Sequence, residues 1–187
     1  IVVLTVIFAP IAILLTIYLI IKRKKQIKKI KITDRHKYTD MLTSLKNRNY
    51  LNYNMKKWDD NVIYPQSFIV VDLNNIKYVN DNHGHEEGDN VIKKAASILI
   101  INQLENTDIM RTDGNEFTIY LVGYEEKVIM SYIHKLNKEL KNSLPNKEYG
   151  VSIGYSMITN EIKTIDDAIN EALIMVKENK GISNEEN

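Results

Sequence analysis

The first 21 residues, Ile1 to Ile21, carry no charge, and only Thr5, Pro10 and Thr16 among them fall outside the apolar and tyrosine classes. As a helix rising 1.5 Å per residue this run would be about 31 Å long, close to the hydrocarbon thickness of a bilayer. One membrane-spanning helix over residues 1–21 is therefore expected, with Pro10 a tolerated kink. The next sixteen positions hold nine Lys+Arg and one acid. A secretory signal carries its basic residues before the apolar run, whereas here they follow it. By the positive-inside bias, residues 22–38 read as a basic juxtamembrane linker and everything after them as cytoplasmic, so the expected location is the cell membrane. The chain begins at isoleucine, so further sequence upstream is expected.

Of the chain's 25 Lys+Arg and 24 Asp+Glu, these assignments leave 16 bases and 23 acids for residues 38–187. An acidic domain behind a basic membrane collar gives no basis for nucleic acid binding. With no cysteine, disulfide scaffolds, thiolate metal sites and cysteine nucleophiles are excluded. Residues 39–181 suit one domain with one core, and residues 182–187 read as a flexible tail.

Within that domain, Leu42, Leu45, Leu51, Met55 and Trp58 recur at near-helical spacing, which predicts a helix from Asp40 to Trp58. Phe68 to Val71 reads as a buried strand ending at Asp72, after a loop over Asn61 to Gln66. Val91, Ala95, Ile98 and Leu99 mark a second helix. Ile109 to Thr112 and Phe117 to Val122 read as a hairpin around Asp113-Gly114, a favoured tight turn. A helix through Ile129 to Leu140, a strand at Tyr149 to Met157 and a helix opened by a Thr164–Asp167 capping box complete the order. Outer strands separated by helices, with a hairpin between them, predict an α+β fold with a mainly antiparallel central sheet flanked by helices.

Polar groups concentrate in two places. Asp72 ends the first strand, and Asn80 to Asp89 packs acids, amides, His83, His85 and two glycines into what reads as a turn before a helix. Carboxylate and carbonyl oxygens suit Mg²⁺ bound to phosphates, so Asp72 and the hairpin acids are candidate ligands. The His83 and His85 spacing matches no common metal pattern, and turn or capping roles suit them better.

Four ordered segments carry a family resemblance. Asp40-Met41-Leu42-Thr43-Ser44-Leu45-Lys46-Asn47-Arg48 resembles the DxLTGLxNR opening of the GGDEF family, the diguanylate cyclases. Asp72 to Asp89 is similar to its DxDxFKxINDxxGHxxGD segment, Arg111 to Phe117 stands at its RxGGDEF signature, and Val151-Ser152-Ile153-Gly154 matches its SIG strand. The resemblance implies a nucleotidyl-cyclase-like fold with a ferredoxin-like core. The implied reaction joins two GTP into cyclic di-GMP, across a head-to-tail homodimer and with Mg²⁺ (or Mn²⁺) as cofactor. It further implies Asp72 and the main-chain carbonyl of Leu73 as metal ligands, Lys77 and Lys177 as phosphate contacts, and Asn80 and Asp89 as readers of the guanine edge.

Departures fall on the signature. Asp113 replaces its first glycine, and Asn115 stands where the family has an acid beside the attacking hydroxyl, followed by Glu116. A neutral amide binds Mg²⁺ more weakly and accepts no proton. Asp113 and Asn115 lie two apart, so on an extended arm their side chains would point the same way and Asp113 could return a carboxylate, with Glu116 a second reserve. Asn74 replaces a second Asp, Ile76 a Phe, and the family's arginine after Lys177 has no counterpart at its spacing. Leu104 and Thr107 occupy the positions of the inhibitory RxxD pattern, so product feedback is not expected. Two readings stand together: an active or weakly active cyclase, and an inactive domain that binds nucleotide or dimerises.

Overall fold

The computed structural model describes residues 13–27, 37–144 and 150–185. The chain forms two units, residues 1–37 and 38–187. In the first, residues 13–27 form helix α1 with Ile13 to Ile21 exposed. Among the described residues no helix is long and apolar enough to cross a membrane. Residues 1–12 of the expected span and 28–36 of the basic stretch lie outside the described residues.

The second unit runs β1 (Lys46–Asn47), α2 (Arg48–Asp59), β2 (Gln66–Leu73), α3 (Ile76–His83), α4 (His85–Ile101), β3 (Thr107–Arg111), β4 (Glu116–Val122), α5 (Glu126–Ser143), β5 (Val151–Ile158) and α6 (Ile165–Glu185). The sheet order is β1-β3-β4-β2-β5. Only the short β1–β3 pairing is parallel, and β3–β4, β4–β2 and β2–β5 are antiparallel. This is the expected α+β fold with a mainly antiparallel sheet.

Both faces of the sheet are covered, which is why β2 reads as a continuous apolar run rather than an alternating one. Ile69, Val71 and Leu73 pack with residues of α3, α4 and α5, including Val79, Leu99 and Leu136. Phe68 packs with Leu51 and Trp58 of α2 and Ile165 of α6, while Val70 meets Ala172 and Val176. Trp58 stacks on Tyr120 with centroids 4.2 Å apart. Burial pushes the Tyr120 hydroxyl up to about 12, and it donates to Gln66 Oε1 at 2.6 Å.

Several expected boundaries move. The helix predicted from Asp40 starts only at Arg48. Asp40 Oδ1 accepts from Thr43 N (2.9 Å) and Thr43 Oγ1 (2.7 Å), which holds a turn instead. Asn47 is extended and caps α2 by accepting from Tyr50 N at 3.1 Å. Leu45 belongs to one core and Leu51 to the other, so the near-helical spacing ran across two different packing faces. Gln66 is the first residue of β2 rather than the end of a loop. Asn80 to Asp89 is mostly helix, interrupted only at Gly84, whose φ of 88° ends α3. The capping box forms as expected, with Thr164 N and Oγ1 donating to Asp167 Oδ2 and Asp167 N donating back. Helix α6 continues to Glu185, through most of the segment read as a tail.

The 112–115 connection is not the tight Asp-Gly turn. Gly114 does not have the positive φ that a two-residue primed turn demands. Four residues bridge β3 and β4, with Thr112 N and Asp113 N both directed to Glu116 O. Arg111 fastens the loop, donating to Gly114 O from Nε (3.1 Å) and Nη2 (2.5 Å), while its Nη1 reaches both Asp40 oxygens at 3.1 and 3.2 Å. Burial works to raise the Asp40 carboxyl, but the bonds from Thr43 and Arg111 outweigh it and hold its pKa below the ordinary 3.8. A depressed folded pKa means stability that is present above 3.8 and lost as pH falls through the folded value. Asp40→Asn should therefore cost about 1–2 kcal/mol at neutral pH, with the gap to wild type narrowing as the pH falls below 3.8, read by urea melts across pH.

Candidate functional site

At the end of β2 the chain turns sharply through Asn75, held at φ 64°, a left-handed conformation that Asn tolerates better than most residues. Helix α3 thus starts beside the strand tip and faces the 112–115 loop across a cavity of about 940 Å³. That volume accommodates a nucleotide. Leu73, Lys77, Asn80, Asp89 and Asn115 all line it. Asn80 comes from α3 and Asp89 from α4, and a glycine lets them share the space. A Cβ on Gly88 would lie 1.9 Å from Asn80 Oδ1, so a helix-weakening glycine sits where the Asn80 amide needs room.

Asp72 is directly opposite Glu116 in the β2–β4 register, which brings the preceding residue, Asn115, to the strand tip. Leu73 N donates to Asn115 O at 3.0 Å. In return Asn115 Nδ2 stands 2.9 Å from Asp72 Oδ1 and 2.9 Å from Leu73 O. Both neighbours are acceptors, so the NH₂ end of the amide must face them. Asp72 Oδ1 also lies 2.8 Å from Lys180 Nζ.

Three expected site residues are placed elsewhere. Asp113 lines a second cavity, of about 340 Å³, with Asp40, Arg48 and Arg111. Its carboxylate accepts from Gly114 N at 2.7 Å, so it does not return a charge toward Asp72: the irregular loop removes the alternation of an extended arm. Glu116 Oε1 accepts from Thr112 Oγ1 at 2.6 Å, and its side chain is absent from the large cavity's lining. Lys177 is exposed and also outside that lining, whereas Lys180 is part of it. Lys180 follows Lys177 by three residues and so shares its side of α6, a signal that spacing against a motif passed over. Arg111 and Asn74 line the cavity too. Asn74 Nδ2 donates to Ser152 Oγ at 3.1 Å, and its Oδ1 is buried without a partner.

A three-layer α+β domain with a nucleotide-sized polar cavity beside a β-hairpin loop is the class these features define. The sequence model described as "Diguanylate cyclase, GGDEF domain" matches residues 37–185, and the chain belongs to the GGDEF family. It is 31% identical over 153 residues to the probable diguanylate cyclase DgcJ of Escherichia coli K12, covering 78% of this chain and 30% of that protein. It is 32% identical over 143 residues to the uncharacterized protein YtrP of Bacillus subtilis 168, covering 72% and 23%. The chain therefore spans less than a third of these relatives' length. Among solved structures, the coiled coil and GGDEF domain of DgcB from Caulobacter crescentus, in complex with c-di-GMP, superposes with a TM-score of 0.78 at 19% identity, covering 85% of this chain and 88% of that one. The FimX GGDEF domain of Pseudomonas aeruginosa gives 0.68 at 18%, covering 76% and 93%. At these identities the superpositions speak for the fold.

The family generally uses divalent metal ions. In this chain the oxygens in place for one, Asp72 Oδ1 and Leu73 O, already accept an amide N–H₂ and an ammonium. Among the described residues, no group of three or more His, Asp or Glu side chains is arranged to hold a metal. The donor set as folded does not fit a divalent cation.

Proposed function

We propose that this chain is a membrane-anchored GGDEF domain that binds a guanine nucleotide and acts as a dimerising regulatory module without synthesising cyclic di-GMP. The observation that carries this reading is Asn115, whose amide lies against Asp72 and Leu73 where the family has an acid. A neutral amide accepts no proton from an attacking hydroxyl. Asp113 and Glu116 are engaged in the hairpin and supply no replacement.

The recognition side of the cavity keeps its groups. A carboxylate at Asp89 suits the N–H donors of the guanine edge, and the Asn80 amide can both donate and accept, whereas adenine would leave these groups mismatched. Lys77 and the first turn of α3 suit phosphate, since the unpaired N–H groups at a helix start favour anions. Membrane attachment rests on the uncharged run Ile1–Ile21 and the basic residues behind it. Homodimerisation through the GGDEF domain rests on family membership.

Calorimetric titration of the purified protein with GTP and ATP tests the reading. GTP should bind, and ATP should bind at least about tenfold more weakly because the half-buried Asn80 and Asp89 would be covered without matching partners. Equal affinities, or no GTP binding at millimolar nucleotide, would contradict it.

A further inference from the structure

Asn115 is held from both ends. Its carbonyl accepts from Leu73 N at 3.0 Å, and its side-chain nitrogen donates to Asp72 Oδ1 and Leu73 O at 2.9 Å each. The residue is stitched to the tip of β2 by three bonds, two of them to the oxygens that would otherwise face a cation. Lys180 adds a full positive charge at 2.8 Å from the same carboxylate oxygen, and Asn179 Nδ2, donating to Ile153 O at 2.8 Å, pins that end of α6 to β5. A dication entering here would have to displace the ammonium and rotate the amide, and it would then find one carboxylate and two neutral carbonyls. Mg²⁺ favours a firmer oxygen shell than that.

We propose that Asn115 and Lys180 take the place of the divalent ion, so that the cavity binds a guanine nucleotide free of metal. This rests on the guanine-nucleotide reading above and adds the form in which the ligand is carried. The phosphates then meet chain cations, Lys77 and Lys180, both on the cavity wall, in place of an ion shared with Asp72. The Asp72 charge is answered inside the protein, so removing metal from solution leaves the site unaltered.

Two measurements on the full chain in lipid nanodiscs test this. The first titrates Mn²⁺ alone into nucleotide-free protein and reads free Mn²⁺ by electron paramagnetic resonance. Wild type should bind more weakly than about 1 mM, because three donors with one charge make a poor site. Tighter binding overturns the proposal. Asn115→Asp sets a second carboxylate beside Asp72 and should tighten Mn²⁺ binding at least about tenfold; a folded variant that binds no tighter than wild type removes Asn115 from the assignment. The second compares GTP affinity in excess EDTA and in Mg²⁺. GTP should bind at least as tightly in EDTA as in Mg²⁺, where most of the nucleotide carries the ion and must shed it to enter, and weaker binding in EDTA overturns the proposal. Absence of GTP binding in both buffers would defeat the guanine-nucleotide reading, and the Mn²⁺ titration would still decide whether the ion's place is taken.

Discussion

Gly154→Ala should lower the stability of the domain by about 3 kcal/mol, a fall in melting temperature of roughly 6–12 °C for a domain of this size. Gly154 lies on β5 where α6 crosses it. A Cβ there would stand 2.1 Å from Ala172 O, 2.9 Å from Val176 N and 3.0 Å from Met175 Cβ. Two of those atoms are backbone in the middle of a helix, so no side-chain rotation relieves the clash and α6 itself must lift from the sheet. That movement opens the contacts of Ala172 and Val176 with Val70, all three buried. It also carries away Lys180, about two turns further along the same helix, and with it the ion pair to Asp72. Gly114→Ala serves as the contrast: a Cβ there meets nothing within 4 Å, and its cost should stay within about 0.5 kcal/mol. Thermal melts of the two variants side by side read the difference. Equal losses would show that α6 is not seated on β5 as described.

The elements whose pattern reports a single environment were legible in the amino-acid order. Strands β2 and β4 are buried on both faces and announce themselves as apolar runs, and Thr164 with Asp167 marks the start of α6 because a capping box is a local bond. The 40–47 segment was not legible, because Leu45 and Leu51 sit at helical spacing yet serve opposite sides of the sheet. Its turn is decided by Asp40, whose Arg111 partner lies 71 residues away. The site divides in the same manner. Family motifs located Leu73, Lys77, Asn80 and Asp89 on one cavity wall, with Asp72 bonded to Asn115 of the same wall, since their order along β2, α3 and α4 is local. The roles of Asp113, Asn115 and Lys180 depend on things no spacing encodes. These are the strand register that sets Asn115 beside Leu73, the four-residue loop that turns Asp113 away, and the α6–β5 approach that delivers Lys180 rather than Lys177.

Loss of cyclase activity is the other large effect expected. The reaction asks for a group to take the proton of the attacking hydroxyl and for positive charge at the reacting phosphate. Asn115 offers no proton acceptor, its amide faces Asp72 and Leu73, and the neighbouring acids are bound elsewhere in the hairpin. Each deficit alone costs orders of magnitude, so turnover should fall at least about a thousandfold below that of a site with an acid at this position. Dimerisation must be supplied in the assay, because a monomer would be silent for a different reason. The direct measurement is cyclic di-GMP formation from GTP with Mg²⁺ or Mn²⁺, using the protein held as a dimer by a fused coiled coil and chromatography to read product. No product above background is the result expected here, and steady turnover by the wild-type dimer would contradict the assignment of Asn115 as the residue that closes this site to catalysis.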